Sequence, residues 1–253
     1  MKTRILPFVL LVLAASLTGC LTKSWEAQWP HSQTAPTPDA SVKQETAQKL
    51  FEQADTELRL LNSINAPHDA VTAAPTNREI LAMLGNQYIL LGTAYTSKRS
   101  EKTAYFRTAM KYCEWSLYTN PDFRAKVDAG AKPWEAARTL TKEDAPAMLF
   151  WATALQYEFK EGMSLPAKIV NVGWMKYALA FLDRIQEVAP TYSPATVEFA
   201  RTICLFALPT FQGGNKELGK QAMAKALSGN PDWLFSRWAR GKYYYRVTDN
   251  PQG

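Results

Sequence analysis

The chain is poor in the side chains that most enzymes use for catalysis. Its 253 residues include 2 histidines and 3 cysteines. One histidine, His31, lies in a proline-containing segment, and His68 is predicted in a loop between Ala66 and Pro75. Neither a histidine-based triad nor a multi-histidine metal site can be assembled from them. A phosphate-binding loop and a dinucleotide fingerprint are also missing. We therefore predict a non-enzymatic protein with no catalytic residue, no metal and no cofactor.

Carboxylate catalysis and disulfide formation are two further possibilities for this sequence. Acidic residues such as Asp183, Glu187 and Glu198 are plentiful, so a carboxylate-dependent hydrolase acting on glycans stays open, although solvated helix faces are the favoured interpretation. Cys113 and Cys204 fall at helical core positions. We expect buried thiols there, with a disulfide as the alternative.

Long hydrophobic runs are scarce as well. The run from Ile5 to Leu17 is shorter than the roughly 20 residues that a transmembrane helix needs. It follows Lys2 and Arg4 and ends at Leu17-Thr18-Gly19-Cys20, which resembles a bacterial lipobox. We predict that residues 1–19 are a lipoprotein signal peptide and that Cys20 is lipidated. An ordinary signal peptide with a chance cysteine is the alternative.

A lipidated Cys20 would place the protein on a membrane, facing the periplasm. Leu21 follows the cysteine in place of an aspartate, which favours the outer over the inner membrane by resemblance to enterobacterial lipoproteins. Removal of Lys2 and Arg4 with the signal lowers the formal net charge from +6 to +4. This small charge on an exported protein does not indicate nucleic acid, and we expect none among the partners.

Residues 20–40 have the composition of a flexible tether. Pro30, Pro36 and Pro38 stand among Ser, Thr and Gln, and the large apolar side chains are Trp25 and Trp29. Such a segment is predicted to stay extended and mobile. Residues 41–250 then form one helical domain, which is long enough for a real core.

Apolar residues in this domain recur every three or four positions, and no stretch alternates convincingly with period two. The pattern predicts an all-α fold. Capping boxes are predicted at Ser41, Thr76 and Thr141. The predicted helices cover residues 41–62, 76–95, 102–118, 141–159, 170–188, 194–208, 215–227 and 234–246.

Two stretches repeat the same punctuation at a spacing of 69 residues. They run from Leu84-Gly85-x-x-Tyr88 to Pro121 and from Thr153-Ala154-x-x-Tyr157 to Pro190, with 33 residues from tyrosine to proline in both. The pattern is similar to that of tetratricopeptide (TPR) repeats, although this gap is about 12 residues longer than the standard one. We predict degenerate TPR-like repeats that form a compact solenoid or bundle and serve binding.

The third unit carries a more specific likeness. The run Leu208-Pro209-Thr210-Phe211-Gln212-Gly213-Gly214-Asn215 resembles the proline and double-glycine pattern of the TatT family. These are TPR-like lipoproteins associated with the tripartite ATP-independent periplasmic (TRAP) transporters. Leu149-Phe150-Trp151-Ala152-x-Ala154 and Ala239-Arg240-x-x-Tyr243-Tyr244 are similar to further helices of that family. However, Gln156 to Phe159 replace the small residues and glycine that usually follow, which would narrow or reshape a cavity.

The resemblance implies an accessory protein that works beside a periplasmic solute-binding protein and handles a small apolar-tailed ligand, such as a carboxylate. It also implies an apolar channel and a homo-oligomer. The implied cavity candidates are Phe150, Trp151, Ala154, Tyr157, Trp174, Phe181 and Phe211. Plain core packing is the alternative for each of them. Gly213 and Gly214 are expected to form a turn before Asn215, which caps the next helix.

A second function remains open for a lipoprotein of this kind. Without a cavity, the helices would form a scaffold that organises cell-envelope proteins. The helix from Ala147 to Phe159 decides between the two readings, because its apolar residues lie on several faces. A helix that is hydrophobic all round is either fully packed or lines an apolar void.

Overall fold

The computed structural model describes residues 21–30 and 35–229. Every regular element within these residues is helical, which confirms the all-α class. The α-helices are α1 (Ala40–Glu52), α2 (Glu57–Ala73), α3 (Arg78–Leu90), α4 (Arg99–Tyr118), α5 (Pro121–Asp128), α6 (Ala145–Tyr157), α7 (Leu165–Asn171), α8 (Met175–Val188), α9 (Pro194–Ala207) and α10 (Lys216–Gly229). Cys20 and the helix predicted at 234–246 lie outside the described residues.

The longer helices pack mainly as pairs that follow one another along the chain. These pairs are α1 with α2, α3 with α4, α6 with α8, and α9 with α10. Helix α6 also packs on α3 and α4, and α9 packs on α8. This order of packing brings α6 to the centre, although the repeat character itself stays a prediction.

The main core surrounds α6. Its largest fully buried side chains are Trp151, Phe123 and Phe181. A smaller cluster between α1, α2 and α3 contains Leu60 and other aliphatic residues. Burial of apolar surface at about 25 cal/mol per Å² makes these clusters the main source of stability.

Two local predictions for the first helices were wrong. Residues 41–62 form two helices, because the chain breaks after Glu52 and the Thr56 side chain caps α2 by accepting from the Arg59 amide at 3.3 Å. His68 lies within α2, which continues through Pro67, and not in a loop.

Capping chemistry explains two helix starts near the centre. Asn77, and not Thr76, caps α3, since its side chain accepts from the Ile80 amide at 3.1 Å. The predicted capping box between Thr141 and Asp144 is present and leads into α6.

Candidate functional site

Helix α6 separates two spaces of opposite character. One side is covered by residues 21–30, which we call the N-terminal strap. The other side faces α9 and α10 across an apolar cavity.

The strap is packed on the helices through its two tryptophans. Trp29 is only 6% exposed and stacks on Tyr118 of α4, with ring centroids 5.0 Å apart. Trp25 lies 5.7 Å from Trp29 and meets Trp134 edge-on. Aromatic pairs in such geometry stabilise a contact by about 1 kcal/mol beyond the area that they bury. The strap thus contributes aromatic side chains to the core.

A buried carboxylate joins the strap to α6. Glu114 of α4 accepts from the indole N–H of Trp151 at 2.8 Å and from that of Trp25 at 3.0 Å. Burial raises the pKa of Glu114 to about 7, and the two indole donors oppose this shift only in part. The Glu114 carboxylate therefore connects the strap to Trp151 of α6.

A second buried carboxylate binds the lysine of the strap. Glu158 is fully buried and forms ion pairs of 2.7 Å with both Lys23 and Arg107. The Lys23 amide donates to Asn171 Oδ1 at 2.7 Å, and Asn171 Nδ2 donates to the Leu21 carbonyl at 2.6 Å. These contacts correct the expectation of a mobile tether over residues 21–30, which are extended but fixed.

A polar pocket of about 350 Å³ remains between the strap and the helices. Arg107, Lys111 and Glu114 line it, together with Trp151 and Trp174. Because charged groups dominate its wall, this space does not match the apolar passage that was predicted around Trp151.

The apolar cavity lies on the opposite side of α6 and has a volume of about 370 Å³. Tyr157 and Phe159 form its wall at the end of α6. Helix α9 and Met223 of α10 form the facing wall. The α9 residues that point to the cavity include Phe199, Ile203 and Phe206. A concave apolar space of this size is typical of small-molecule sites.

Polar groups are few in this cavity and stand at defined places. Gln156 donates to the Ala200 carbonyl at 2.7 Å and to Cys204 Sγ at 3.1 Å, which fixes α6 against α9. Lys160 and Lys168 contribute to the lining, and Lys168 Nζ donates to the Lys160 carbonyl at 2.6 Å. Burial lowers the pKa of Lys168, and the nearby charges of Arg99 and Lys160 lower it further. An apolar wall with two ammonium groups suits an apolar ligand that ends in an anionic group.

The structure distributes the seven predicted cavity residues over different environments. Tyr157 lines the apolar cavity, whereas Trp151 and Trp174 line the polar pocket. Ala154 and Phe181 are fully buried in the core, and Phe150 is half-buried against it. Phe211 is 86% exposed. The candidates do not converge on one passage, and sequence reasoning missed the α9 residues that do line the cavity.

The predicted turn has the geometry that its glycines allow. Gly213 adopts a φ of 98°, and a Cβ on Gly214 would collide with the Leu208 carbonyl. Asn215 Oδ1 then accepts from the Leu218 amide at 3.0 Å at the start of α10. This turn sets the position of α10 against α9.

The remaining reactive side chains occupy structural positions. His68 lies between two tyrosines, with Tyr88 Oη 3.1 Å from Nε2 and Tyr112 Oη 3.2 Å from Nδ1. Cys113 and Cys204 are free and buried, and burial raises the pKa of Cys204 to about 12. The described part of the chain contains no group of three or more His, Cys, Asp and Glu side chains placed to hold a metal ion.

Comparison with known proteins adds no family to this description. No protein-family model matches the sequence. A search of curated proteins gives no match either.

Proposed function

We propose that the protein is a lipid-anchored, periplasm-facing accessory component of a TRAP-type transport system, and that it binds an apolar-tailed ligand. The apolar cavity between α6 and α9 carries this proposal. The TatT-like double-glycine sequence and the lipobox supply the transport context. The proposed role is binding and transfer, and it requires no catalysis.

The shape and chemistry of the cavity favour a carboxylate with an aliphatic or aromatic tail. Phe199, Ile203 and Phe206 offer apolar contact to the tail. Lys160 and Lys168 lie where an anionic end can be neutralised. A fixed ammonium adds selectivity, because a neutral ligand of equal length gains nothing from it.

Calorimetric titration with decanoate tests this site. Wild type should bind decanoate with saturation. Ile203→Trp should weaken the affinity at least roughly tenfold by filling the cavity, a change equivalent to about 1.4 kcal/mol. Leu90→Trp is the control, because Leu90 is 37% exposed and does not line the cavity. Absence of saturable binding, or equal binding by Ile203→Trp, would exclude the cavity as the ligand site.

The charge of the ligand is tested with a second variant. Lys168→Met should weaken binding of decanoate several-fold and leave binding of decanol unchanged, since only the carboxylate meets the ammonium. Equal loss for both ligands would mean that Lys168 acts only through packing.

The transport context needs its own measurement. Native mass spectrometry of detergent-solubilised envelope membranes should detect the lipoprotein bound to a solute-binding protein when ligand is present. A lipoprotein that stays unassociated under these conditions would contradict the TRAP assignment, even if the cavity binds decanoate.

A lipoprotein scaffold for cell-envelope proteins is the second candidate. The packing between Trp151 and Phe181 favours it, because both side chains are fully buried and their ring centroids are 4.9 Å apart in an edge-on contact. A scaffold should capture the same envelope protein from Ile203→Trp as from wild type. A ligand-dependent accessory protein should lose its partner in that variant.

A further inference from the structure

Helix α7 exposes an apolar face that the proposed ligand site does not use. Leu165 is 71% exposed, Ile169 is 69% exposed and Val170 is 47% exposed. Leu165 and Ile169 are four residues apart, so they lie on the same side of the helix. We call these three residues the α7 apolar face.

The opposite side of α7 is fixed to the protein. Ala167 and Asn171 are buried, and Asn171 Nδ2 donates to the Ala167 carbonyl at 2.7 Å. The hydrogen bonds from Asn171 to Leu21 and Lys23 attach the strap to this same helix end. The hydrogen bonds of the buried Asn171 side chain therefore fix α7 in an orientation that exposes the α7 apolar face.

The position of Leu21 beside α7 indicates that the α7 apolar face lies near the membrane. Leu21 directly follows Cys20, the residue that carries the lipid in the proposed function. Because the Leu21 carbonyl is 2.6 Å from Asn171 Nδ2, the acyl chains would leave the protein next to α7. A membrane anchor at this point brings the lipid surface to the α7 apolar face.

The charges around α7 are mostly positive. Lys168 lies within the helix, its Nζ contacts the Lys160 carbonyl, and the charge of Arg99 is close enough to lower the pKa of Lys168. The acidic residue in this group is Glu161, which pairs with Lys102 and Lys160. Basic residues beside an apolar helix face favour anionic lipid headgroups.

We propose that the α7 apolar face docks on the lipid bilayer and inserts Leu165, Ile169 and Val170 at the boundary between headgroups and acyl chains. This proposal rests on the lipid anchor at Cys20 in the proposed function. Lys168 lines the apolar cavity and directly precedes Ile169. Docking therefore places the cavity lining next to the membrane, where apolar-tailed molecules partition.

Depth-dependent quenching in vesicles tests the proposal on the full lipoprotein. Ile169→Cys and Leu58→Cys are each labelled with a nitrobenzoxadiazole fluorophore and reconstituted in vesicles of phosphatidylethanolamine and phosphatidylglycerol that contain nitroxide lipids. Leu58 on α2 is the matched control at 68% exposure. Both positions are solvent-accessible, so labelling should not disturb folding. Cys113 and Cys204 are fully buried and should not compete for the label.

The label at 169 should be quenched at least about threefold more strongly than the label at 58, because an interfacial helix buries its apolar side about 5–10 Å below the headgroup surface. Equal quenching at the two positions would overturn the docking face. Protection of position 169 from aqueous quenchers without quenching by nitroxide lipids would indicate contact with protein and would overturn it as well.

Flotation of the vesicles separates the two hypotheses. Protein that does not float with the vesicles lacks the anchor, which refutes both the anchor in the proposed function and the docking that rests on it. Protein that floats but shows equal quenching keeps the anchor and refutes only the docking face. Floating protein with selective quenching at 169 supports both.

Discussion

The two sides of helix α6 are packed by different kinds of contact. On one side, the N-terminal strap supplies an indole N–H to Glu114 and an ammonium to Glu158. On the other side, the facing residues are mostly apolar and line a cavity of about 370 Å³, whereas the pocket of about 350 Å³ on the strap side has a mostly polar wall. Buried carboxylates need partners from the chain itself, because an unpaired buried charge is strongly destabilising. Apolar side chains need no such partner, so the apolar cavity is the space that suits an apolar-tailed ligand.

The largest predicted effect is on the packed side. Trp151→Ala should lower the free energy of unfolding by about 4 kcal/mol, because it removes a fully buried indole and a donor to Glu114. Urea denaturation followed by circular dichroism measures this change. Trp151→Phe keeps most of the volume and should cost roughly half as much. A loss below about 1 kcal/mol for Trp151→Ala would contradict a solid core at this position.

The strap provides the next prediction. Lys23→Met should destabilise the protein by about 3 kcal/mol, since it leaves the fully buried Glu158 with Arg107 as its remaining ion-pair partner in the described structure. Lys43→Met is the matched control, because the pair between Lys43 and Asp39 is exposed and should contribute less than about 1 kcal/mol. Equal effects in thermal or urea unfolding would show that the strap is not part of the folded core.

The sequence predicted the helices well because the information for them is local. Three- and four-residue spacing places α4, α6, α8 and α9 within a few residues of their observed positions. The break between α1 and α2 was missed, because the apolar stripe continues across it and the capping residue Thr56 was not recognised.

The strap could not be predicted, because its contacts are remote in the sequence. Lys23 and Glu158 are 135 residues apart, and residues 20–40, with three prolines among Ser, Thr and Gln, are locally indistinguishable from a free linker. Only Trp25 and Trp29 gave a signal, since two large aromatic side chains in a linker would otherwise stay exposed.

The candidate site was predicted only in part for a related reason. An apolar helix face looks the same in the sequence whether it packs solidly, as at Phe181, or borders a cavity, as at Tyr157. Phe199, Ile203 and Phe206 belong to a stripe of α9 that core packing explains equally well. Only the relative placement of α6, α9 and α10 distinguishes these cases.

Glu114 makes a contribution to the free energy of unfolding that depends on pH. Burial raises the pKa of Glu114 from its ordinary value of 4.5 to about 7, so between these pH values the folded protein holds a proton that the unfolded chain releases. The Glu114 contribution therefore lowers stability as pH rises through this window, by roughly 3 kcal/mol. Below and above the window it does not change with pH.

Unfolding of wild type and Glu114→Gln, measured from pH 4.5 to 7.5, isolates this contribution. The difference in unfolding free energy between the two proteins should change by roughly 3 kcal/mol across the window. His68 contributes with the opposite sign, because burial lowers its pKa, but it is common to both proteins and cancels in the difference. A difference that is independent of pH would mean that Glu114 titrates normally and that the strap side is more hydrated than its burial indicates.

The smallest effect is expected on the cavity side. Phe206 is half-buried, lines the cavity and lies over Gly219, where a Cβ would come within 2.9 Å of its ring. Phe206→Ala should cost about 1 kcal/mol in urea unfolding, well below the 3–5 kcal/mol typical of a fully packed phenylalanine, because the ring already borders empty space. Affinity for decanoate should fall in the same variant, since the tail loses one wall. A loss of stability as large as that of Trp151→Ala would mean that Phe206 is packed as tightly as Trp151, and that the ring does not border an open apolar cavity.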